Sequence, residues 1–269
     1  MKKILLITLL VSTVSFAQKA KNGWQSANLK CKVKTAGQVE YVPNEKGELI
    51  QEGQDFYANF NKKGYITDMQ MKQGKEVTKL VIAFDKNGFP SKTESYNEKG
   101  KMTYHSIQEN DAKGRTLLEK GFTDDGLEVI KTIFIYDKKG FLIEKQMHQF
   151  GNYALKSVYT NDKKGNPLEE KNYDAQNALN YRITSKYDKK GNRTEAIAYD
   201  KKGKIMEHYT YQYDKHNNQI QEESYNSEGG LNYKKTFSYQ YDKRGNWNKK
   251  HEYTDGKLSK VTEQFVEYY

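Results

Sequence analysis

A short turn motif recurs along most of this chain and constrains its fold more than any other feature. The clearest copy is Tyr187–Asn192, with the sequence YDKKGN. An aspartate side chain can accept a hydrogen bond from the backbone two residues on, and glycine supplies the positive φ that closes a short hairpin loop. The residues on either side alternate in polarity as strands do. Each copy of the motif therefore predicts a β-hairpin.

The spacing of these turns is regular. Glycines, or asparagines in their place, fall at Gly88, Gly100, Gly114, Gly126, Gly140, Asn152, Gly165, Asn177, Gly191, Gly203, Asn217, Gly229, Gly245 and Gly256. Shorter and longer steps alternate, which gives a repeat unit of about 26 residues with two strands and two turns. We predict an uninterrupted array of β-hairpin repeats over residues 60–269.

Composition limits how such an array can be packed. The 269 residues are 35% hydrophobic and 30% charged, yet they include 22 tyrosines. This is too polar for a large conventional core and too aromatic for disorder. The predicted fold is all-β: a continuous antiparallel meander of roughly 14 to 18 strands, coiled into an open superhelical sheet or a partly closed shell.

An outer-membrane barrel is the alternative architecture. The aromatic C-terminus Tyr268-Tyr269 and an export signal favour it, but short strands such as 192–199 lack the apolar, lipid-facing band that such barrels require.

The N-terminus has the features of a secretory signal peptide. Lys2 and Lys3 precede an apolar run, and Ser15-Phe16-Ala17 fits a cleavage site. The apolar run is shorter than the ~20 residues of a spanning helix, so no integral membrane span is expected once residues 1–17 are removed. We predict export to the periplasm or the cell surface. Residues 18–59 are less regular and are predicted to form an N-terminal cap, with a first strand over 28–34.

Two of the turns carry a family resemblance. Tyr239–Asn246 reads YQYDKRGN and Tyr211–Lys215 reads YQYDK, and both are similar to the Y-x-Y-D-x-x-G-N signature of RHS (YD) repeats. The resemblance covers about residues 60–269 and implies a continuous, spiralling β-sheet. No toxin domain or self-cleavage motif follows the repeats. A weaker similarity is to short hairpin-repeat (MORN-like) proteins, some of which are described as antitoxins.

No catalytic, metal-binding or cofactor-binding motif is present in the sequence. The five histidines have no metal-ligand spacing, and Cys31, the only cysteine, has no base near it in sequence and is expected in a buried or strand position. Turn aspartates could stack as a calcium ladder, but adjacent lysines would repel the cation. The sequence therefore predicts a non-enzymatic protein without a cofactor.

Charge is expected to separate between the two ends of the strands. If successive turns lie at opposite ends, one rim holds eleven cations against seven aspartates, and the other has a net negative charge. We predict the first rim as the docking surface for an anionic partner; nucleic acid is not expected, because turn lysines also serve to keep sheet edges apart. The candidate rim residues are Lys138, Lys139, Lys163, Lys164, Lys189, Lys190, Lys243 and Arg244.

A tyrosine-rich face is the second candidate surface. Strand alternation places Tyr181, Tyr209, Tyr211, Tyr233 and Tyr239 on one side of the sheet. These rings could form a structural ladder, or they could stack on sugar rings or on side chains of a partner.

Three function classes follow from these features. The favoured one is an exported binding or scaffold module for a protein or a glycan at the cell envelope. The alternative is an immunity or antitoxin protein, which a neighbouring toxin gene would favour. The third is a glycan-acting enzyme, which would need acids converging in a cleft.

Overall fold

The computed structural model describes residues 22–269, so the predicted signal peptide lies outside the described residues. One helical turn, α1 (Gly23–Ser26), precedes nineteen strands. These are β1 (Val33–Pro43), β2 (Leu49–Gln51), β3 (Gln54–Phe60), β4 (Ile66–Gln73), β5 (Glu76–Phe84), β6 (Pro90–Tyr96), β7 (Met102–Asn110), β8 (Thr116–Thr123), β9 (Glu128–Tyr136), β10 (Leu142–Gln149), β11 (Asn152–Asn161), β12 (Pro167–Asp174), β13 (Leu179–Tyr187), β14 (Arg193–Asp200), β15 (Ile205–Tyr213), β16 (Gln219–Tyr225), β17 (Leu231–Tyr241), β18 (Trp247–Thr254) and β19 (Lys257–Tyr268).

The repeated motif forms the predicted hairpin turn. At Asp188 the side chain accepts hydrogen bonds from the backbone N–H groups of Lys190 (2.8 Å) and Asn192 (2.9 Å). The N–H of Gly191 donates to the carbonyl of Asp188 at 3.1 Å, and the glycine adopts φ +89°. This is a three-residue loop closed by a residue in the left-handed region. One motif position differs: Asn152 lies in β11, and Phe150 and Gly151 take the positive φ values there.

The meander closes on itself. Each strand from β3 to β19 pairs with the next one in an antiparallel manner, as predicted. β1 then pairs with β3 on one side and with β19 on the other, through a register that runs from Val33 opposite Tyr268 to Tyr41 opposite Val261. Eighteen strands therefore form a closed barrel, and β2 is a short extension that pairs only with β1.

This closure corrects the prediction of an open superhelical sheet or partly closed shell. An open sheet would leave the edges of β1 and β19 unpaired, and pairing these two edges satisfies their backbone groups. Residues 18–59, predicted as a cap, supply β1 and β3 of the barrel wall. The first strand begins at Val33 instead of Asn28, and Cys31, expected in a strand or buried, is exposed with φ +64°.

The barrel has a distinguishable inner face. We call residues 22–32 the mouth segment. It begins at the β3–β4 turn, where Asn22 Nδ2 donates to the Lys63 carbonyl (2.7 Å). It then reaches the β15–β16 turn, where Asn28 Nδ2 donates to the His216 carbonyl (3.0 Å). Six strands lie between these turns along the wall, roughly 29 Å at 4.8 Å per strand. Even fully extended, the residues from Asn22 to Asn28 would span at most about 22 Å, and four of them are helical, so the segment crosses on the concave side.

The side chains under the mouth segment define which face points inward. Trp24 and Leu29 pack on a buried cluster that includes Ala36, Ala58 and Leu80. Ala36 on β1 is paired with Ala58 on β3. Paired residues on neighbouring strands share a face, so the register identifies the inward-facing residues of each following strand. This cluster holds six of the eleven buried hydrophobic residues of the described chain, so the largest packed core lies on β1 and β3–β5.

The outer face carries ion pairs. Lys186 Nζ lies 2.5 Å from Glu195, Lys234 Nζ lies 3.0 Å from Glu223, and Lys249 Nζ lies 2.8 Å from Glu263. Each pair joins neighbouring strands on the side opposite the buried cluster. Exposed pairs of this kind contribute about 0–1 kcal/mol each, so their effect is to present a hydrated, charged exterior.

Candidate ligand-binding inner face

The five predicted tyrosines all lie on the inner face. The register places Tyr181 opposite Asn172 and places Tyr209 between Ala196 and Ser224, so large rings alternate with small, buried residues. The same face includes Tyr211, Tyr233 and Tyr239. All five rings are half-buried, in contrast to the packed cluster on β1 and β3–β5.

The tyrosine hydroxyls have two different kinds of partner. Those of Tyr187, Tyr213 and Tyr239 donate to backbone carbonyls twenty residues earlier, at 3.2, 2.9 and 2.7 Å. These bonds tie each repeat unit to the preceding one. Tyr239, a member of the predicted face, therefore has a structural role.

The remaining tyrosines of the face are not tied to the backbone. Tyr209 donates to Glu207 (3.1 Å) and Tyr233 donates to Glu222 (2.9 Å). The hydroxyl of Tyr181 makes no hydrogen bond within residues 22–269. Tyr211 interacts with the Arg193 guanidinium, which lies 5.3 Å from its ring centroid, and its ring stacks on that of Tyr209 with centroids 6.3 Å apart. Burial raises the pKa of the Tyr211 phenol, so it stays a neutral donor. This region combines aromatic surface with unused hydrogen-bonding groups.

A charged cluster lies on the same face, beside the tyrosines. Lys235 Nζ contacts Glu252 at 3.0 Å, and Lys260 Nζ contacts both carboxylate oxygens of Glu40 at 3.1 Å. Lys250, half-buried between these pairs, makes no ion pair within the described residues. Burial lowers the pKa of the Lys250 ammonium, and the neighbouring Glu252 partly offsets that effect.

Aromatic rings surround Lys250. Its Nζ lies 5.9 Å from the ring centroids of both Phe237 and Trp247, within the range of a cation–π contact. The Trp247 ring packs edge-on against Tyr239, with centroids 6.1 Å apart. The inner face therefore offers a cation framed by rings on β17 and β18.

Sequence reasoning missed this cluster. Lys235 lies two residues from both Tyr233 and Phe237 on β17 and therefore shares their side of the strand. Strand parity could have identified Lys235. It could not have brought in Lys260 and Glu40, because their contact depends on barrel closure.

The predicted basic rim residues lie in alternate turns at one end of the barrel, which confirms the meander alternation. All eight side chains are exposed. Several are already engaged: Lys164 Nζ donates to the Lys189 carbonyl at 2.6 Å, Lys190 Nζ donates to the Lys215 carbonyl at 3.4 Å, and the Arg244 guanidinium lies 3.8 Å from the Tyr268 ring centroid. These contacts link successive turns, so docking of a partner at this rim stays a prediction.

The lowered pKa values of Asp162 and Asp188 at this rim predict that the folded barrel is less stable in acid. Burial acts to raise the pKa of the Asp188 carboxyl, but hydrogen bonds from Asn192 and Lys190 outweigh it, and the pKa is lowered; Asp162 shows the same balance. A carboxyl whose pKa is lowered by folding stabilises the fold above its unfolded pKa, and this contribution is lost as pH falls below about 4.

The Asp162 and Asp188 turns are each expected to contribute on the order of 0.5 kcal/mol after solvent screening. Thermal unfolding followed from pH 7 to pH 2.5 should show a constant Tm down to about pH 5 and a fall below about pH 4. Asp188→Asn should make this fall smaller, and an identical acid profile for the variant would contradict the assignment.

Neither a metal site nor a helical membrane span is found in residues 22–269. No three side chains among their histidines, cysteines, aspartates and glutamates are placed to hold a metal ion, and no helix there has the length and apolarity to cross a membrane. The inner carboxylate of Glu222 accepts a hydrogen bond from Tyr233 at 2.9 Å.

Comparisons with known proteins find only distant structural similarity. No family model matches the chain, and no curated protein is similar to it in sequence. A porin-like protein from Bacteroides uniformis is 10% identical, with a TM-score of 0.47 over 88% of this chain and 99% of that one. A porin-like protein from Bacteroides vulgatus is also 10% identical, with a TM-score of 0.32 over 88% and 98%. The TcdB2-TccC3-TEV structure is 12% identical, with a TM-score of 0.37 over 82% of this chain and 15% of that one.

The predicted membership of the RHS (YD) repeat family is wrong. The sheet closes into a barrel where the resemblance implied a continuous spiral, and no family model matches. The physical reason is that the Y-D-x-x-G-N pattern is a local solution for a tight turn, in which Asp caps the loop and Gly takes positive φ. Any long antiparallel meander can use such turns, so the motif predicts a hairpin but does not identify the family.

Proposed function

We propose that this chain is an exported, non-enzymatic barrel that binds a glycan on its inner face at the cell envelope. The observation that carries the proposal is the row of half-buried tyrosines on the concave side, outside the largest buried cluster. Rings that serve only as core would be covered. Barrels of 16–18 strands are wide enough to leave an aqueous interior, and a polymer chain fits such an interior better than a folded partner does.

The chemistry of this face suits sugars. A sugar ring presents an apolar side that stacks on aromatic rings and hydroxyls that need hydrogen-bond partners. Tyr209 and Tyr211 provide adjacent stacked rings, and Glu207 and Glu222 provide acceptors beside them. The predicted export signal gives such a protein access to envelope polysaccharides.

The proposal predicts that removing the rings weakens binding. Replacing Tyr209 and Tyr211 together by leucine keeps apolar bulk but removes the aromatic surface. A loss of about 0.5–1.5 kcal/mol per ring corresponds to roughly 5- to 150-fold weaker binding for the pair. Binding of the mature chain to a panel of soluble polysaccharides, measured by affinity electrophoresis and calorimetry, tests this expectation.

The matched control is Tyr199→Leu. Tyr199 lies on the neighbouring strand β14 but on the outer face, where the Arg182 guanidinium sits 4.1 Å from its ring centroid. Its replacement should leave glycan affinity unchanged. Equal losses for the inner and outer variants, or no binding to any polysaccharide, would refute a glycan-binding inner face.

A further inference from the structure

We infer that Lys250 is an anion-binding position on the inner face and that the bound glycan is acidic, with its carboxylate at Lys250. This inference rests on the proposed function and specifies the class of sugar. The position is built from side chains on four consecutive strands, β17, β18, β19 and β1, which the closed barrel brings together.

The charges around Lys250 leave one cation without a partner. Lys235 is matched by Glu252 and Lys260 by Glu40, at 3.0 and 3.1 Å. Lys250 is the fifth charged group; it makes no ion pair among the described residues, and its ammonium lies beside the rings of Phe237 and Trp247. A buried charge without a partner is costly, so this site favours a ligand that carries one negative charge.

An unused hydrogen-bonding group lies beside it. Thr262, on β19, lies directly opposite Lys250 of β18 on one side and opposite Glu40 of β1 on the other. Its hydroxyl is buried, with the residue 1% exposed, and has no hydrogen-bond partner among the described residues. Buried hydroxyls are normally paired. An ammonium and a hydroxyl on adjacent strands provide the donors that one carboxylate group can use.

The two carboxylates nearby select the kind of anion. Glu40 and Glu252 lie within the same cluster, so a dianion such as phosphate would meet repulsion that a monoanion largely avoids. Lysine also acts as a point charge, whereas multidentate phosphate sites favour arginine. The rings of Phe237 and Trp247 next to the ammonium match a sugar that carries a carboxylate on its own ring, as a uronic acid does.

The position is reachable from the end opposite the mouth segment. Lys235 lies near the start of β17, Lys260 near the start of β19 and Glu252 near the end of β18. Those strand ends belong to the acidic rim, the set of turns that includes Gly203 and Gly229, whereas residues 22–32 cross the other end. A polymer entering at the acidic rim would therefore meet Lys250 before it reaches the packed core.

The test uses two forms of one polymer. Polygalacturonate and its fully methyl-esterified form share a backbone and differ in charge. The wild-type chain is expected to bind the acid at least tenfold more tightly than the ester, and added salt should reduce the difference. Lys250→Met should bind both forms with the affinity that the wild type has for the ester, whereas Lys250→Arg should keep the preference for the acid.

The control is Lys145→Met. Lys145 is an inner-face lysine on β10, paired with Phe134 and Ser157 on the far side of the barrel, and its loss should not change the preference. Equal binding of acid and ester by the wild type, or a preference retained in Lys250→Met, would overturn the inference. If both forms bind equally and Tyr209→Leu/Tyr211→Leu weakens both, the proposed function stands without it. If neither form binds, the inference is also refuted, and the polysaccharide panel decides the proposed function separately.

Discussion

A chain that ends at Gly256, and so lacks β19, is expected to lose the cooperative unfolding transition of the full barrel. β19 pairs with β18 on one side and with β1 on the other, and it supplies Val261 and Thr262, each 1% exposed. Its removal leaves two long edges with unpaired backbone groups, which promote aggregation. Circular dichroism melting and size-exclusion chromatography should show a broad transition and large oligomers.

The control removes a strand outside the barrel wall. β2 pairs only with β1, so replacing residues 44–52 by a short loop should preserve a monomer with a sharp transition. If the chain without β19 unfolds as sharply as the full chain, closure through β1 does not hold the fold together.

Leu80→Ala is expected to cost about 2–4 kcal/mol, because it leaves a cavity in the buried cluster. Leu80 on β5 is 2% exposed and is paired with Met69 and Ser95. For a chain of this size, that loss corresponds to a Tm lower by roughly 5–15 °C. Chemical denaturation and calorimetry measure both quantities.

Ile107→Ala is the matched control. Ile107 on β7 is also a strand aliphatic, but it lies on the outer face and is 43% exposed. Its truncation should cost less than about 1 kcal/mol. Similar losses for the two variants would mean that the inner and outer faces are wrongly assigned.

The hairpins were predictable from sequence because their determinants are local. Asp188, Gly191 and the alternation around them decide one turn within a few residues, and the structure has the same hydrogen bonds. The placement of the tyrosines on one side of the sheet followed from strand parity, which needs no knowledge of distant contacts. The register puts Tyr209 and Tyr233 on the same face, and their role as a binding surface stays a prediction.

Closure was not predictable in the same way. The contact of Gln38 with Gln264, at 2.9 Å, joins residues 226 positions apart, and no turn motif encodes it. Whether a twisted meander closes depends on the summed twist, tilt and stagger of all its strands. The Lys260–Glu40 pair exists only because the ends meet, so the candidate anion position could not have been derived from β17 and β18 alone.

The pairing of β1 with β19 also dictates an order of events in folding. β1 is made first, yet one of its two neighbours in the barrel wall is the last strand to be synthesised, so that edge remains unpaired until the chain is complete. Pairings of such long sequence separation form slowly, and a nearly complete sheet with two free edges can add strands from another molecule. The rate of this final ring closure, more than the strength of any hairpin, sets how long each newly made chain remains open to intermolecular pairing.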